Sequence, residues 1–183
     1  SMCGWDTDCN AGNVGTILGV VVGPEGIPAC YRGPINDEIV LSGISGYLNI
    51  LDIPSYSKKL FGLACRLAGE ECPEPPAQDG TLHYDFTLPG ATHGFHVSDP
   101  IRCMAQASEE RGGSLRCFYE RLIRGEGFKL FVKTFYRRRD FDDERYMPVF
   151  SPLAYPGQTA SFTVALERLH GDQLSLTPYV KES

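Results

Sequence analysis

Residues 8–26, DCNAGNVGTILGVVVGPEG, contain the pattern that decides the first half of the fold. Apolar residues recur there at helical spacing along one stripe, and glycines form a second stripe where another backbone could approach closely. The apolar stripe is Ala11, Val14, Ile17, Leu18 and Val21, and the glycines are Gly12, Gly15 and Gly19. The pattern predicts a helix that is buried on several sides. The turn sequence at residues 23–26, Gly-Pro-Glu-Gly, should end it.

A second helix is predicted after Pro54, with Ser55 as its N-cap and Gly69 as its stop signal. Its expected core stripe is Leu60, Leu63, Ala64 and Leu67. Residues 37–51 are weakly patterned, and a further helical stretch is one interpretation of them.

The segment EECPEPPAQDG, residues 70–80, predicts a linker because its prolines and acidic residues disfavour both helix and sheet. The whole excess of negative charge, −6, lies upstream of Gly80, and the remainder is balanced. An acidic solvated surface explains this asymmetry more simply than a cation site does. We therefore expect a helical region at 1–70, a proline-rich linker at 71–80 and a second domain at 81–183.

Downstream of the linker the hydrophobic period changes to two, which is typical of strands. The alternating runs lie at residues 115–120, 128–133 and 162–166, and turn signals that contain glycine separate them from other short runs. The pattern predicts an antiparallel β-sandwich of the jelly-roll type. The fold class expected for the whole chain is α+β in two parts, helical first and β-sandwich second.

Composition excludes several classes of protein. The chain has 183 residues, of which 42% are hydrophobic and 22% charged, and no apolar run is long enough to span a membrane. The basic run at residues 137–139 is followed at once by acidic residues, so we expect no nucleic-acid partner. Seven cysteines without zinc-site spacing favour reduced thiols in the cytoplasm. The histidines, including both in HGFH at 93–96, are interpreted as structural.

Two aspartates, Asp6 and Asp8, stand at the head of the first helix. Helix capping is the simpler interpretation, because the helix dipole and free N–H groups favour negative charge there. A site for a hard divalent cation is the alternative, since the Thr7 hydroxyl and the Asn10 amide add oxygen ligands. An EF-hand is excluded, because Ala11 and Ile17 stand where that loop needs glycine and glutamate.

The stretch GWDTDCNAGNVGTILGVVVGPEGIP, residues 4–28, resembles the C-terminal metal-binding motif of the ADP-ribosylglycohydrolases. Members of that family carry G-x-D-T-D-[TC]-N-A before a helix rich in small residues. The resemblance extends more weakly to about residue 70. It implies that the first part of the chain belongs to an all-helical, magnesium-dependent hydrolase of glycosidic bonds.

The resemblance also implies roles for individual residues. Asp6 and Asp8 would supply carboxylates to a site for two Mg²⁺ ions, with Asp8 as the bridge. Cys9 stands where many members have threonine, and a hard ion gains little from a thiol. Trp5 and Asn10 would contact a glycoside or ADP-ribose-type substrate.

The family's remaining ligands and its acid/base glutamate come from an upstream half that these residues do not contain. They would lie in the same polypeptide or in a partner, so we expect the chain alone to have no significant hydrolase activity. Two carboxylates would hold Mg²⁺ only weakly.

The stretches VFSPLAYPGQTASFTVAL, residues 149–166, and GGSLRCFYE, residues 112–120, resemble, less closely, the sandwiches of galactose-binding-like and carbohydrate-binding modules. The candidate sugar-binding residues of this second region are Tyr146, Tyr155 and Asp143. A carbohydrate-binding or structural sandwich with a non-catalytic helical stub is therefore the alternative to the hydrolase interpretation.

Overall fold

The computed structural model describes residues 7–74, 80–120, 122–140, 148–169 and 173–181. The upstream elements are helices α1 (Asp8–Val22) and α2 (Ala29–Ile35), strands β1 (Glu38–Val40) and β2 (Ile50–Asp52), and helix α3 (Ile53–Ala68). The downstream strands are β3 (His96–Val97), β4 (Cys103–Ser108), β5 (Ser114–Tyr119) and β6 (Leu130–Phe131). Within these ranges the protein is a mixed α/β chain with three α-helices and small antiparallel sheets. None of the helices described has the length and apolar character needed to cross a membrane.

Helix α1 forms where the sequence predicts it, but its surroundings differ from the prediction. Gly23, with a φ of 66°, follows its last residue. None of its residues is buried, and Val20 is 85% exposed. A Cβ added to any of its three glycines would meet no atom within 4 Å. The expected burial on several sides is therefore wrong for the described part of the chain, because no element there covers these faces.

The chain between α2 and α3 is a β-hairpin rather than a helix. Asn36 and Asp37, with φ of 52° and 57°, turn the backbone out of α2 and into β1. β1 then pairs with β2 in an antiparallel register that sets Glu38 opposite Asp52. The helical interpretation of residues 37–51 is wrong, because the apolar residues here form two short runs that pair across a glycine-containing turn.

Helix α3 begins earlier than predicted and ends where predicted. Its N-cap is Asp52 rather than Ser55: the Asp52 Oδ1 accepts the Ser55 N–H at 2.9 Å. Pro54 sits in the first turn, where a missing N–H costs nothing. Gly69, with a φ of 72°, terminates the helix. The predicted core stripe is wrong, since Pro54 and Cys65 are the buried residues of α3 and the stripe is exposed.

The downstream region contains shorter strands than predicted. β4 and β5 form a hairpin whose register runs from Cys103 opposite Tyr119 to Ser108 opposite Ser114, and β3 pairs with β6. The predicted strand at 115–120 is confirmed as β5, whereas the run at 128–133 contributes only β6. The run at 162–166 forms no strand. Each sheet in the described ranges has two strands and is open, which is less than the predicted sandwich.

The interior is small and partly polar. Its buried apolar side chains include Ile50, Cys65, Ala91, Cys103 and Tyr136, and its buried polar ones include Asp37, Asn49 and His93. The Asn49 amide donates to the carbonyls of Gly43 at 2.7 Å and Val149 at 2.8 Å, and its oxygen accepts the Gly43 N–H at 3.0 Å. A buried amide thereby connects the upstream hairpin with a segment 100 residues further along the chain.

Candidate functional site

The first turn of α1 carries the described part of the predicted metal motif. Thr7 occupies the N-cap position, and its side chain makes no capping hydrogen bond. The Asp8 Oδ1 accepts the N–H of Cys9 at 2.9 Å. Cys9 and Asn10 are exposed on the same turn. The structure therefore brings Asp8, Cys9 and Asn10 together at a helix N-terminus, where the free N–H groups and the dipole favour a carboxylate.

The other residues of the motif, Trp5 and Asp6, lie outside the described residues. Within the described ranges, no group of three or more His, Cys, Asp or Glu side chains is arranged to hold a metal ion. The two-ion magnesium site stays a prediction, to which the described residues contribute one carboxylate, Asp8.

A different polar group lies where the β1–β2 hairpin meets the segment around residue 93. We call it the junction cluster, and it consists of Asp37, Glu38, Asp52, His93, His96 and Tyr136. Two hydrogen bonds of Asn36 join the turn before β1 to the segment around residue 93. The Gly94 N–H donates to the Asn36 carbonyl at 3.0 Å, and the Asn36 side chain donates to the Phe95 carbonyl at 2.9 Å. The cluster is thus built from parts of the chain nearly 60 residues apart.

The centre of the junction cluster is a pair formed by Asp52 and His93. The His93 Nδ1 lies 2.6 Å from the Asp52 Oδ1, and the His93 residue is 2% exposed. Burial alone would raise the pKa of Asp52, but the hydrogen bonds from His93 and from the Ser55 N–H outweigh it, so that the pKa is lowered. Because an ionised carboxylate can only accept, the proton of this bond resides on Nδ1.

The opposite nitrogen of His93 is buried without a hydrogen-bond partner in the described structure. Aromatic rings stand edge-on to the imidazole instead, with centroid distances of 5.4 Å for Tyr84 and 5.1 Å for Phe86. Burial and the Asp52 charge raise the pKa of Tyr84 to about 12, so its hydroxyl stays neutral. A general base must reach the proton that it removes. Within the described residues the enclosed Nε2 does not have that access, and the Asp52–His93 bond links the end of β2 to the segment around residue 93.

The outer part of the cluster is organised by Glu38. Its two carboxylate oxygens accept hydrogen bonds from different partners: Oε1 from the Tyr136 hydroxyl, and Oε2 from the His96 Nε2 at 3.2 Å. Burial and the Glu38 carboxylate raise the pKa of Tyr136. The His96 ring also stacks on Phe131 across the β3–β6 pair, at 5.6 Å. Glu38 thereby connects β1 with two downstream segments.

Asp37 anchors the loop before His93. Its Oδ2 accepts the N–H of Thr92 at 2.7 Å and the Thr92 hydroxyl at 3.1 Å, while Arg32 approaches its other oxygen at 3.8 Å. The Arg32 guanidinium also donates to the Pro89 carbonyl at 2.8 Å. Both oxygens of the buried Asp37 carboxylate therefore have a partner, as burial of a charged group requires.

Of the three predicted sugar-binding residues, the structure describes Tyr155. Tyr155 is 53% exposed in a turn where its N–H donates to the Gln158 side chain at 2.7 Å. Tyr146 and Asp143 lie outside the described residues. A sugar site here stays a prediction.

Sequence reasoning singled out HGFH but missed the partners of its histidines. Asp52 was detectable, because an aspartate two residues before a proline that opens a helix is a strong N-cap signal. Asp37 and Glu38 carry no local signal of their contacts with this segment, since Thr92 and His96 lie 55 and 58 residues away.

Comparison of the chain with protein-family models, with curated proteins and with solved structures finds no match.

Proposed function

We propose that this chain supplies the C-terminal helical portion of a magnesium-dependent hydrolase of glycosidic bonds that is similar to the ADP-ribosylglycohydrolases. The observation that carries the proposal is the start of α1 at Asp8. The aspartate motif therefore leads directly into a long, apolar, glycine-containing helix, which is the arrangement that the resemblance implies. A cytoplasmic location, in which thiols stay reduced, belongs to the same proposal.

The donor atoms at the head of α1 suit a hard cation in part. Asp8 and Asn10 offer oxygen ligands on one exposed turn, and Thr7 adds a hydroxyl with no capping bond. The Cys9 thiol is a poor match for Mg²⁺. Asp8 and Asn10 would form one side of an ion site, to which we propose that Asp6 adds a second carboxylate and the upstream helices the remaining ligands. Magnesium, when bound, would orient ribose hydroxyls and lower the pKa of the attacking water.

The exposure of α1 supports the same conclusion. Its apolar side chains stay open on several faces, with Ile17 at 64% and Val21 at 73% exposed. Contiguous apolar surface of this kind marks an interaction site in most proteins. We assign its cover to the upstream helices of the hydrolase, since three glycines leave room for close backbone approach.

The region from residue 81 onward is proposed as an accessory jelly-roll-like sandwich. Support comes from the antiparallel pairs β4–β5 and β3–β6.

The metal role of Asp8 is tested by titrating the chain with Mg²⁺ and following backbone amide signals by NMR, with Mn²⁺ as a paramagnetic substitute. Signals of residues 8–11 should shift with Mg²⁺ and broaden with Mn²⁺. Asp8→Asn should weaken the affinity at least about tenfold, because even outer-shell losses at metal sites have that effect. Glu25→Gln, which removes an acid beyond the far end of α1, is the matched control. Equal affinity in Asp8→Asn and the unmodified chain would remove Asp8 from the site.

A further inference from the structure

The C-terminal end of α3 folds the following residues back onto the helix. Gly69 takes the left-handed conformation, and two hydrogen bonds close the turn: the Gly69 N–H donates to the Arg66 carbonyl at 3.3 Å and the Glu70 N–H to the Cys65 carbonyl at 2.9 Å. This is the paired bonding of a Schellman motif. The chain reverses direction immediately after the helix, and Cys72 returns towards Cys65.

The reversal brings the two thiols close together. Lys58 and Cys65 lie seven residues apart on one face of α3, and the Glu74 carboxylate returns to the Lys58 ammonium at 3.3 Å. The Cys72 thiol donates to the Glu74 carbonyl at 3.3 Å, so Cys72 lies over the helix face that carries Cys65, and its thiol raises the pKa of Cys65. Cys65 is buried at 7% exposure, whereas Cys72 is half-buried. The inner thiol is therefore protected, and the outer one is open to small reagents.

The other described cysteines are not placed in this way. Cys9 and Cys30 are exposed and lie on separate helices. Cys103 and Cys117 lie on neighbouring strands but face other residues, Tyr119 and Ala105, in the ladder. Cys103 and Cys117 are diagonal neighbours in this ladder, and the Cys103 thiol raises the pKa of Cys117, so they serve as the comparison pair for Cys65 and Cys72.

We propose that Cys65 and Cys72 form a redox-sensitive dithiol that closes to an intramolecular disulfide when a peroxide or a small-molecule disulfide is present. One S–S bond forms and both S–H bonds break. With hydrogen peroxide as oxidant, its O–O bond accepts the two electrons and two protons and yields two waters. With a small-molecule disulfide, a mixed disulfide forms first and two small thiols are released.

The order of the two steps follows from exposure. Cys72 meets the oxidant, and Cys65 then attacks the oxidised Cys72 sulfur from inside. Burial and the Cys72 thiol raise the pKa of Cys65, so that the second step should accelerate as pH rises.

Oxidation would change how the proline-rich linker, residues 71–80, is attached to α3. In the reduced protein, Glu74 is held by an ion pair to Lys58 at 3.3 Å, and Glu74 itself is largely exposed. Such a pair is weak and is screened by salt. The disulfide would add to this pair a covalent bond that closes an eight-residue loop, and the beginning of the proline-rich linker would stay against α3.

Tryptic peptide mapping provides a direct test, because trypsin separates the two cysteines. Cys65 falls in the peptide of residues 60–66 and Cys72 in that of residues 67–102, and each peptide contains no other cysteine. The full chain is treated with hydrogen peroxide or oxidised glutathione, its remaining thiols are alkylated, and it is then digested without reduction. The expected product is a linked pair of these peptides, lighter by two hydrogens than their sum and resolved by dithiothreitol.

Single variants complete the experiment. Cys65→Ser and Cys72→Ser should each abolish the linked pair, and Cys117→Ser should leave its yield unchanged. If Cys72 remains a free thiol or carries only a mixed disulfide under both oxidants, the proposal is wrong. A link from either cysteine to Cys103 or Cys117 in excess of the 65–72 link would equally overturn it.

Discussion

Asp52 is the residue whose removal should disturb this fold most, because it ends β2, caps α3 and holds His93. We consider Asp52→Ala, with Asp52→Asn as a variant that keeps the shape and loses the charge. Loss of an N-cap side chain costs about 1 kcal/mol of unfolding free energy. Loss of the acceptor for the buried His93 N–H adds about 2 kcal/mol, since the bond is made to a charged group.

The expected destabilisation is therefore about 3 kcal/mol for Asp52→Ala, and about 1 kcal/mol for Asp52→Asn, whose amide oxygen still accepts from Ser55. Urea denaturation followed by far-UV circular dichroism measures both. Asp99→Ala is the matched control, because Asp99 accepts two backbone N–H groups in an exposed turn and has no buried histidine partner. It should cost less than Asp52→Ala.

The pH dependence gives the reasoning a second, independent check. The folded-state pKa of Asp52 is below its ordinary value of 3.8, so its stabilising contribution is complete above that value and is lost as pH falls through the folded pKa. The stability difference between the unmodified chain and Asp52→Asn should therefore shrink as pH falls below 3.8. A difference that is constant, or that grows on acidification, would refute the assigned charge on Asp52.

Two further substitutions test other parts of the fold in the same assay. Asn49→Ala should lower the free energy of unfolding by about 2 kcal/mol, because it removes the amide that bonds to the backbone of Gly43 and to the Val149 carbonyl, both of which water can reach. Asn49→Asp, which keeps only the acceptor, should recover little of that loss. Full recovery would contradict the assigned bonds. Gly69→Ala should lower the free energy of unfolding by about 1 kcal/mol through the positive φ alone, since no atom lies within 4 Å of the added Cβ. An unchanged urea midpoint would show that the turn relaxes.

The ends of the long helices could be predicted from the sequence because their causes are local. Gly23 and Gly69 stop α1 and α3 through their own backbone freedom, and each signal is visible within a few residues. The predicted start of α3 is wrong because the capping residue is Asp52, three residues before Ser55. A cap at Asp52 fits a helix with Pro54 in its first turn, whereas Ser55 follows the proline.

The junction cluster could not be predicted, because each of its bonds joins positions far apart in the chain. Nothing near Glu38 indicates that Tyr136, 98 residues later, donates to it. The surroundings of α1 were misjudged for a related reason. An apolar helix indicates that cover is needed, but the pattern does not say which segment supplies it.

Hydrogen bonds that join the two sides of the proline-rich linker have a consequence for cleavage of the backbone. The bonds between Asp52 and His93, between Glu38 and Tyr136 and between Asn49 and Val149 each connect a residue before the linker to one after it. A protease cut within that linker would break the polypeptide without breaking any of these hydrogen bonds. The two products should remain associated, and pieces produced separately should reassemble by fragment complementation.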